Sequence, residues 1–177
     1  VQRSLWQASA AALRDQVAFQ RPEAEIKATL VLLKGSGPLE DFGRGIFAAL
    51  KIDHLGTIKN LEAFLANSVP VHHDRFVEVS RMLVARAYYS TRQYEKASQR
   101  LLEIKKSSNF LSKGLSELSW SYLREGNYPS AIGTAVNLQT GGLRKTFSPE
   151  APMVMAMALN EMCQYPKAAQ AVQLFRS

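Results

Sequence analysis

The side chains best suited to acid–base or metal chemistry are His72, His73 and Asp74, which follow one another directly. Neighbouring residues at a helix start point in different directions, whereas two metal ligands on one helical face need a spacing of three or four. A carboxylate near a helix N-terminus is stabilised by the exposed backbone N–H groups. We therefore interpret this triplet as a solvated helix cap and expect no metal or catalytic site there.

The other candidates for chemistry are equally isolated. Cys163 is the one cysteine of the chain, so an internal disulfide and a thiolate metal cluster are excluded, and we interpret it as a small core residue. The glycine-rich string at 35–38 lacks the Lys-Ser/Thr pair of a phosphate loop. His54 stands alone, and no Ser-His-Asp or paired-carboxylate arrangement can be singled out. We expect no enzyme activity, no cofactor and no metal.

Composition is that of a globular protein with an uneven positive charge. Of 177 residues, 46% are apolar and 21% charged, and no apolar run approaches the ~20 residues of a membrane span. The net charge is +7, and the segment from Arg81 to Lys113 contains eight basic residues but only two acidic ones. Five of these form a predicted basic surface: Arg92, Lys96, Arg100, Lys105 and Lys106. It is either solvated helix surface or a site for an acidic protein, anionic lipid or nucleic acid; nucleic acid is not expected, because no basic and aromatic stacking platform appears.

Helical spacing of apolar residues dominates the whole chain, interrupted by Gly, Pro, Ser and Asn at short intervals. This pattern predicts about ten helices, near 3–19, 22–34, 39–53, 57–67, 73–90, 94–106, 110–125, 128–139, 149–163 and 166–176.

An internal repeat organises the second half of the chain. The segment around QYEKA at 93–97 matches that around NYPSA at 127–131 at an offset of 34 residues, and a third copy, QYPKA at 164–168, follows at an offset of 37. Small residues recur where paired helices must approach each other closely: Ala85, Ser119 and Ala156 on first helices, and Ala97, Ala131 and Ala168 on second helices. A single pair cannot bury its apolar face, so such pairs must stack.

These positions resemble the tetratricopeptide repeat (TPR), a helix–turn–helix unit of 34 residues. The resemblance implies an all-α, right-handed superhelical stack of antiparallel helix pairs, with repeats at 78–111, 112–148 and 149–177. The position often held by Trp in the family is Arg81, Leu115 and Pro152 here. We expect the array to continue beyond Ser177, because no polar capping helix is evident there.

The first part of the chain fits the repeat less well. We expect residues 39–75 to form a degenerate pair, in which Ala63 lies 34 residues before Ala97 and the first helix is out of register. Residues 1–38 are predicted to form an N-terminal capping hairpin. Its first helix carries an apolar stripe at helical spacing and packs either within the chain or on a second copy: Trp6, Ala10, Leu13 and Val17.

The TPR resemblance implies that first helices line a groove that binds a peptide or amphipathic helix of another protein. Carried over by position, the groove residues are Val79, Met82, Arg86, Tyr89, Lys113, Ser116, Glu117, Trp120, Leu123, Met153, Met157 and Asn160. The alternative is a structural assembly module that acts by self-association or through its basic convex face. A further resemblance, of SELSWSYLREGNYPSA and the segment after it, to bacterial envelope repeat proteins favours a periplasmic or cell-envelope location over the cytoplasm.

Overall fold

The computed structural model describes residues 23–67, 74–145 and 148–176, and every regular element within these ranges is helical. The α-helices are α1 Glu23–Leu33, α2 Pro38–Leu50, α3 His54–Asn67, α4 Asp74–Ser90, α5 Tyr94–Leu102, α6 Leu111–Glu125, α7 Tyr128–Leu138, α8 Glu150–Glu161 and α9 Tyr165–Arg176. A short 3₁₀ helix, Gly141–Lys145, follows α7. The predicted all-α class is confirmed there. The helix predicted at 3–19, with its apolar stripe, lies outside the described residues, as do His72 and His73.

The chain divides into two compact units, Val1–Ala87 and Tyr88–Ser177. In the first unit α2 packs along α3, and α1 contacts α2. The ring of Phe42 is central to its core, with centroids 5.1 Å from Phe64 and 5.0 Å from Phe76. The string at 35–38 forms the turn between α1 and α2, where Gly35 and Gly37 have positive φ and Pro38 begins the helix.

In the second unit successive helices pack side by side. Helix α6 contacts α5, α7 and α8, and α8 contacts α7 and α9. The core between these helices consists of small and branched side chains: Leu123, Ala131, Ala135, Leu138, Ala151, Val154 and Ala158. Alanines at the contacts allow the helix axes to approach, and the larger side chains fill the space beside them.

The same left-handed turn joins the two helices of four pairs. Ile52, Arg92, Gly126 and Cys163 each have φ between +57° and +80° and lie two residues before the next helix begins. In every case the following N–H donates to the carbonyl five residues back, at 2.8–2.9 Å: Asp53 to Ala48, Gln93 to Tyr88, Asn127 to Tyr122 and Gln164 to Leu159. These are Schellman motifs, which satisfy carbonyls that the ending helix leaves unpaired.

The turns correct the expected register of the first pair. Aligning Ile52 with Arg92 gives an offset of 40 residues, at which Gly45 corresponds to Ala85 and Thr57 to Ala97. Thr57 is 2% exposed, whereas Ala63, the residue expected at that place, is half-exposed. The first helix of this pair therefore does carry a small residue, Gly45, at the close approach.

Three helix boundaries differ from the predictions by three or four residues, and the first is the end of α2 at Leu50 and not at 53. Helix α3 begins at His54 and not at 57, because the Asp53 carboxylate accepts the Gly56 N–H at 2.9 Å and caps the first turn. Helix α5 ends at Leu102 and not at 106. Further along, just before α6, the Ser108 hydroxyl accepts the Phe110 N–H at 3.0 Å.

Replacing Ile52 by glycine should stabilise the protein. A β-branched residue in the left-handed conformation is strained by roughly 1–2 kcal/mol, and glycine removes that strain. Since Ile52 is 74% exposed, little packing is lost. We expect Ile52→Gly to raise the free energy of unfolding in urea by about 1 kcal/mol. Lys51, next to it at φ −87°, is the matched control, and Lys51→Gly should lower stability. A loss of stability in Ile52→Gly would contradict this account of the turn.

Candidate partner-binding surfaces

Helix α6 presents one row of the predicted groove residues. Lys113, Ser116, Glu117 and Trp120 recur at spacings of three and four, which places them on one face of a helix. Lys113 is exposed, and the other three are half-buried. Trp120 also packs against the core cluster of the second unit. The indole therefore supports the fold from one side while part of its surface stays accessible.

Helix α8, which contacts α6, presents the second row. Met153 and Met157 are 43% and 45% exposed and lie four residues apart, so their side chains share a face. Asn160, also exposed, continues that face by one turn. Methionine is flexible and polarizable, so an exposed methionine pair adapts to differently shaped apolar partners.

The remaining predicted groove residues differ in their exposure to solvent. Met82 and Leu123 are 3% and 8% exposed, so the expectation that they line an open surface is corrected: both pack inside the protein. Val79 is half-exposed and Arg86 is exposed; both belong to the first unit, on α4. Tyr89 is half-buried, and its ring meets that of Tyr94 edge-on, with centroids 5.2 Å apart.

The predicted basic surface is accessible, but several of its charges already have partners. Lys96 donates to Gln93 Oε1 at 2.9 Å, and its ammonium lies 5.5 Å from the Tyr88 ring centre. Arg100 pairs with Glu103 at 2.7 Å. Arg92, Lys105 and Lys106 are exposed. The ion pair offsets the charge of Arg100, whereas the amide leaves Lys96 charged, so both interpretations stay predictions: solvated helix surface or a site for an acidic partner.

Sequence reasoning missed a tyrosine and arginine cluster between α5 and α6. The Arg124 guanidinium lies 5.6 Å from the Tyr94 ring centre and donates from Nη2 to its hydroxyl oxygen at 3.4 Å. This hydrogen bond raises the pKa of Arg124, and burial raises the pKa of Tyr89. The only sequence signal for the cluster was Tyr94 itself, because Arg124 lies 30 residues away on another helix.

The cluster borders a shallow depression of about 610 Å³, lined by Arg92, Gln93, Tyr94, Glu95, Lys96, Arg124 and Glu125. Its mixed charges give no preference for an anion or a cation. No histidine, cysteine, serine or threonine is among the residues that line it.

Neither metal ligands nor a membrane span appear in the part of the chain that the structure describes. Over residues 23–67, 74–145 and 148–176, no group of three or more His, Cys, Asp or Glu side chains could hold a metal ion. In the same ranges no helix combines the length and apolar character needed to cross a bilayer. Cys163 is exposed in the turn before α9, which corrects its interpretation as a core residue.

Comparison with known proteins identifies the type of fold. No family model matches the sequence, and no curated protein matches it either. Among solved structures, the chain is similar to a protein described as a Podosopora anserina kinesin light chain with nearly identical TPR-like repeats. The identity is 16%, the TM-score is 0.68, and the match covers 98% of this chain and 92% of the other. Together with the recurring helix pairs and turns, this likeness shows that the chain has a helical repeat fold of the tetratricopeptide type.

Proposed function

We propose that this protein is a non-catalytic scaffold that binds a segment of another protein on the face formed by α6 and α8. The observation that carries the proposal is the exposed pair Met153 and Met157 on α8, together with the half-buried Trp120 on the contacting helix α6. We call these three residues the Met/Trp face. Two partly exposed methionines on adjacent turns leave apolar area in water that a partner would cover.

The chemistry around this face indicates an amphipathic or extended apolar segment as partner. Lys113 and Asn160 are exposed and flank the face with polar groups. Interfaces commonly combine such an apolar centre with a polar rim, and methionine and tryptophan are enriched at their centres. A helix in a groove, anchored by apolar side chains three and four residues apart, fits this pattern.

The domain organisation belongs to the same proposal. We infer a degenerate helix pair at 39–75, followed by three TPR repeats at 78–111, 112–148 and 149–177, with residues 1–38 as an N-terminal cap. The recurring left-handed turns at Ile52, Arg92, Gly126 and Cys163 support four pairs of one kind. The bacterial origin and cell-envelope location stay predictions.

The test is to select peptides of about 15 residues against the immobilised protein and measure their affinity by fluorescence anisotropy. Burying each methionine side chain contributes roughly 1 kcal/mol or more, so placing two carboxylates on this face should weaken binding at least about tenfold. We expect that loss in Met153→Glu/Met157→Glu.

The matched control places the same two charges on α5 and α7, which are the second helices of their pairs. Leu102 on α5 and Val136 on α7 are exposed apolar residues, at 60% and 37%. Leu102→Glu/Val136→Glu should leave affinity within about twofold, and circular dichroism should show the same helix content in both variants. Equal weakening by the two variants, or none by the methionine variant, would exclude the Met/Trp face as the site.

A further inference from the structure

The methionines of this chain are concentrated on one helix and at its end. Four of the five lie between positions 153 and 162, and the fifth is Met82. Met153 and Met157 on α8 are 43% and 45% exposed, and Met162, just after α8, is 37% exposed. Met155 is half-buried against the core cluster of the second unit, and Met82 is 3% exposed. The methionine side chains that solvent reaches most easily are therefore those on and beside the Met/Trp face.

Their places on the helix divide the exposed methionines into two groups. At about 100° per residue, Met153 and Met157 lie about 40° apart, on the face that also carries Asn160. Met162 follows Met157 by five residues, which places it about 140° further around the axis and away from that face. An oxidant can reach both groups, but a change at Met162 leaves the Met/Trp face as it is.

Peroxide oxidises an accessible thioether without help from a neighbouring acid or base. The sulfur lone pair attacks one oxygen of hydrogen peroxide, an S–O bond forms, and the O–O bond breaks. The second oxygen takes up the proton of the transferred oxygen and leaves as water. The sulfur is oxidised by two electrons to the sulfoxide, which is polar, and the peroxide is reduced. Because methionine has no titratable proton, access to the sulfur decides which methionines react.

We propose that Met153 and Met157 are a reversible oxidation site, and that their sulfoxides close the Met/Trp face to its partner. A sulfoxide oxygen is a hydrogen-bond acceptor, so burying it against an apolar partner costs free energy that the thioether does not cost. In the unbound protein the same oxygen points into water, since each side chain is nearly half exposed. The fold therefore persists while binding is lost. This inference rests on the proposed function, because it requires the Met/Trp face to be the contact surface.

The first experiment measures the reactivity of each methionine. Cys163 is replaced by serine beforehand, because its exposed thiol also reacts with peroxide. After timed exposure of the folded protein to hydrogen peroxide, peptide mapping by mass spectrometry should show Met153 and Met157 oxidised at least about tenfold faster than Met82. Circular dichroism and the melting temperature should stay those of the untreated protein. Equal oxidation rates at Met82, or loss of the fold, would overturn the proposal.

The second experiment measures binding before and after oxidation, with peptides selected on the untreated protein and added once the peroxide has been removed. Oxidation of Met153 and Met157 should raise the dissociation constant at least about tenfold. The two methionine sulfoxide reductases, one for each epimer of the sulfoxide, should restore it with a dithiol as the electron donor. An affinity that peroxide leaves unchanged, or a loss that the reductases do not reverse, would contradict a reversible oxidation site.

Two variants assign the loss of affinity to its residues. Met153→Leu/Met157→Leu keeps apolar side chains of similar volume that peroxide does not oxidise. Its dissociation constant, whatever its value, should therefore be the same before and after treatment. Met162→Leu removes the exposed methionine outside the face and should stay as sensitive to peroxide as the parent Cys163→Ser protein. The reverse pattern would place the effect at Met162 and exclude the pair on α8.

Failure of this inference can be told apart from failure of the proposed function. If Met153→Glu/Met157→Glu leaves the affinity unchanged, the Met/Trp face is not the binding site, and both proposals are excluded. If that variant weakens binding and peroxide does not, the face stands and the oxidation site alone is excluded.

Discussion

Leu138→Ala is expected to lower the free energy of unfolding by about 3 kcal/mol, because truncating a fully buried leucine loses transfer energy and leaves a cavity. Leu138 is 1% exposed and belongs to the core cluster of the second unit. Its neighbours there include Ala135, Ala151 and Ala158, whose short side chains cannot extend into the space that is vacated. The variant should melt roughly 10 °C lower in a calorimetric scan.

The matched control is Leu102→Ala. Leu102 is 60% exposed and lies on a second helix, α5, as Leu138 lies on α7. Because folding buries little apolar area at this position, the free energy of unfolding should change by no more than about 0.5 kcal/mol. If both variants lose similar stability, the alanine-rich core of the second unit is not as closely packed as described.

Gly45→Ala is expected to destabilise the protein by about 2 kcal/mol, even though alanine forms helix better than glycine by about 1 kcal/mol. A Cβ atom at Gly45 would overlap the Leu61 side chain at Cγ and Cδ2. Leu61 is 0% exposed and has no free volume into which to retreat. Overpacking of this kind typically costs about 1–3 kcal/mol, and here the overlap reaches the branch point of the leucine.

Gly133 provides the opposite case within a helix. It is exposed on α7, and no atom lies within 4 Å of the position that its Cβ would take. Gly133→Ala should therefore gain the full helix propensity, about 1 kcal/mol. In urea, the free energy of unfolding should be higher than that of the native protein for Gly133→Ala and lower for Gly45→Ala. Stabilisation by Gly45→Ala would show that α2 and α3 are not in close contact at this point.

Periodicity in the sequence was sufficient to predict the helices and the stacking of pairs, because burial of one face imposes the helical spacing that the pattern reports. Ala97 and Ala131, predicted as close-approach residues, are both 0% exposed. The first pair was placed in the wrong register because a fixed offset of 34 was assumed. Longer helices make that offset 40: α3 and α4 have 14 and 17 residues, against 9 and 15 in α5 and α6. In addition, Gly56 reads as a helix breaker although it lies in the first turn of α3.

The candidate surface was harder to predict than the fold. Assigning groove residues by position places Met153 and Met157 on an accessible face, but it also selects Met82 and Leu123, which are buried. The position of a residue in the repeat determines on which face of its helix it lies, whereas its burial depends on how the neighbouring helices pack against that face. The cluster of Tyr94 and Arg124 could not be predicted for the same reason, since it depends on packing between α5 and α6.

The left-handed turn has a consequence for how this chain can change length. Between Ile52, Arg92, Gly126 and Cys163 the intervals are 40, 34 and 37 residues, yet each of these residues precedes its second helix by the same two positions. The differences in length thus lie in the helices and in the spacers that link one hairpin to the next, and none lies between the turn residue and its second helix. The spacer at 103–110, most of whose residues are exposed, is therefore a natural grafting point for an added segment or reporter tag. The hairpin corners tolerate no extra residue without losing the N–H to carbonyl bond that closes them.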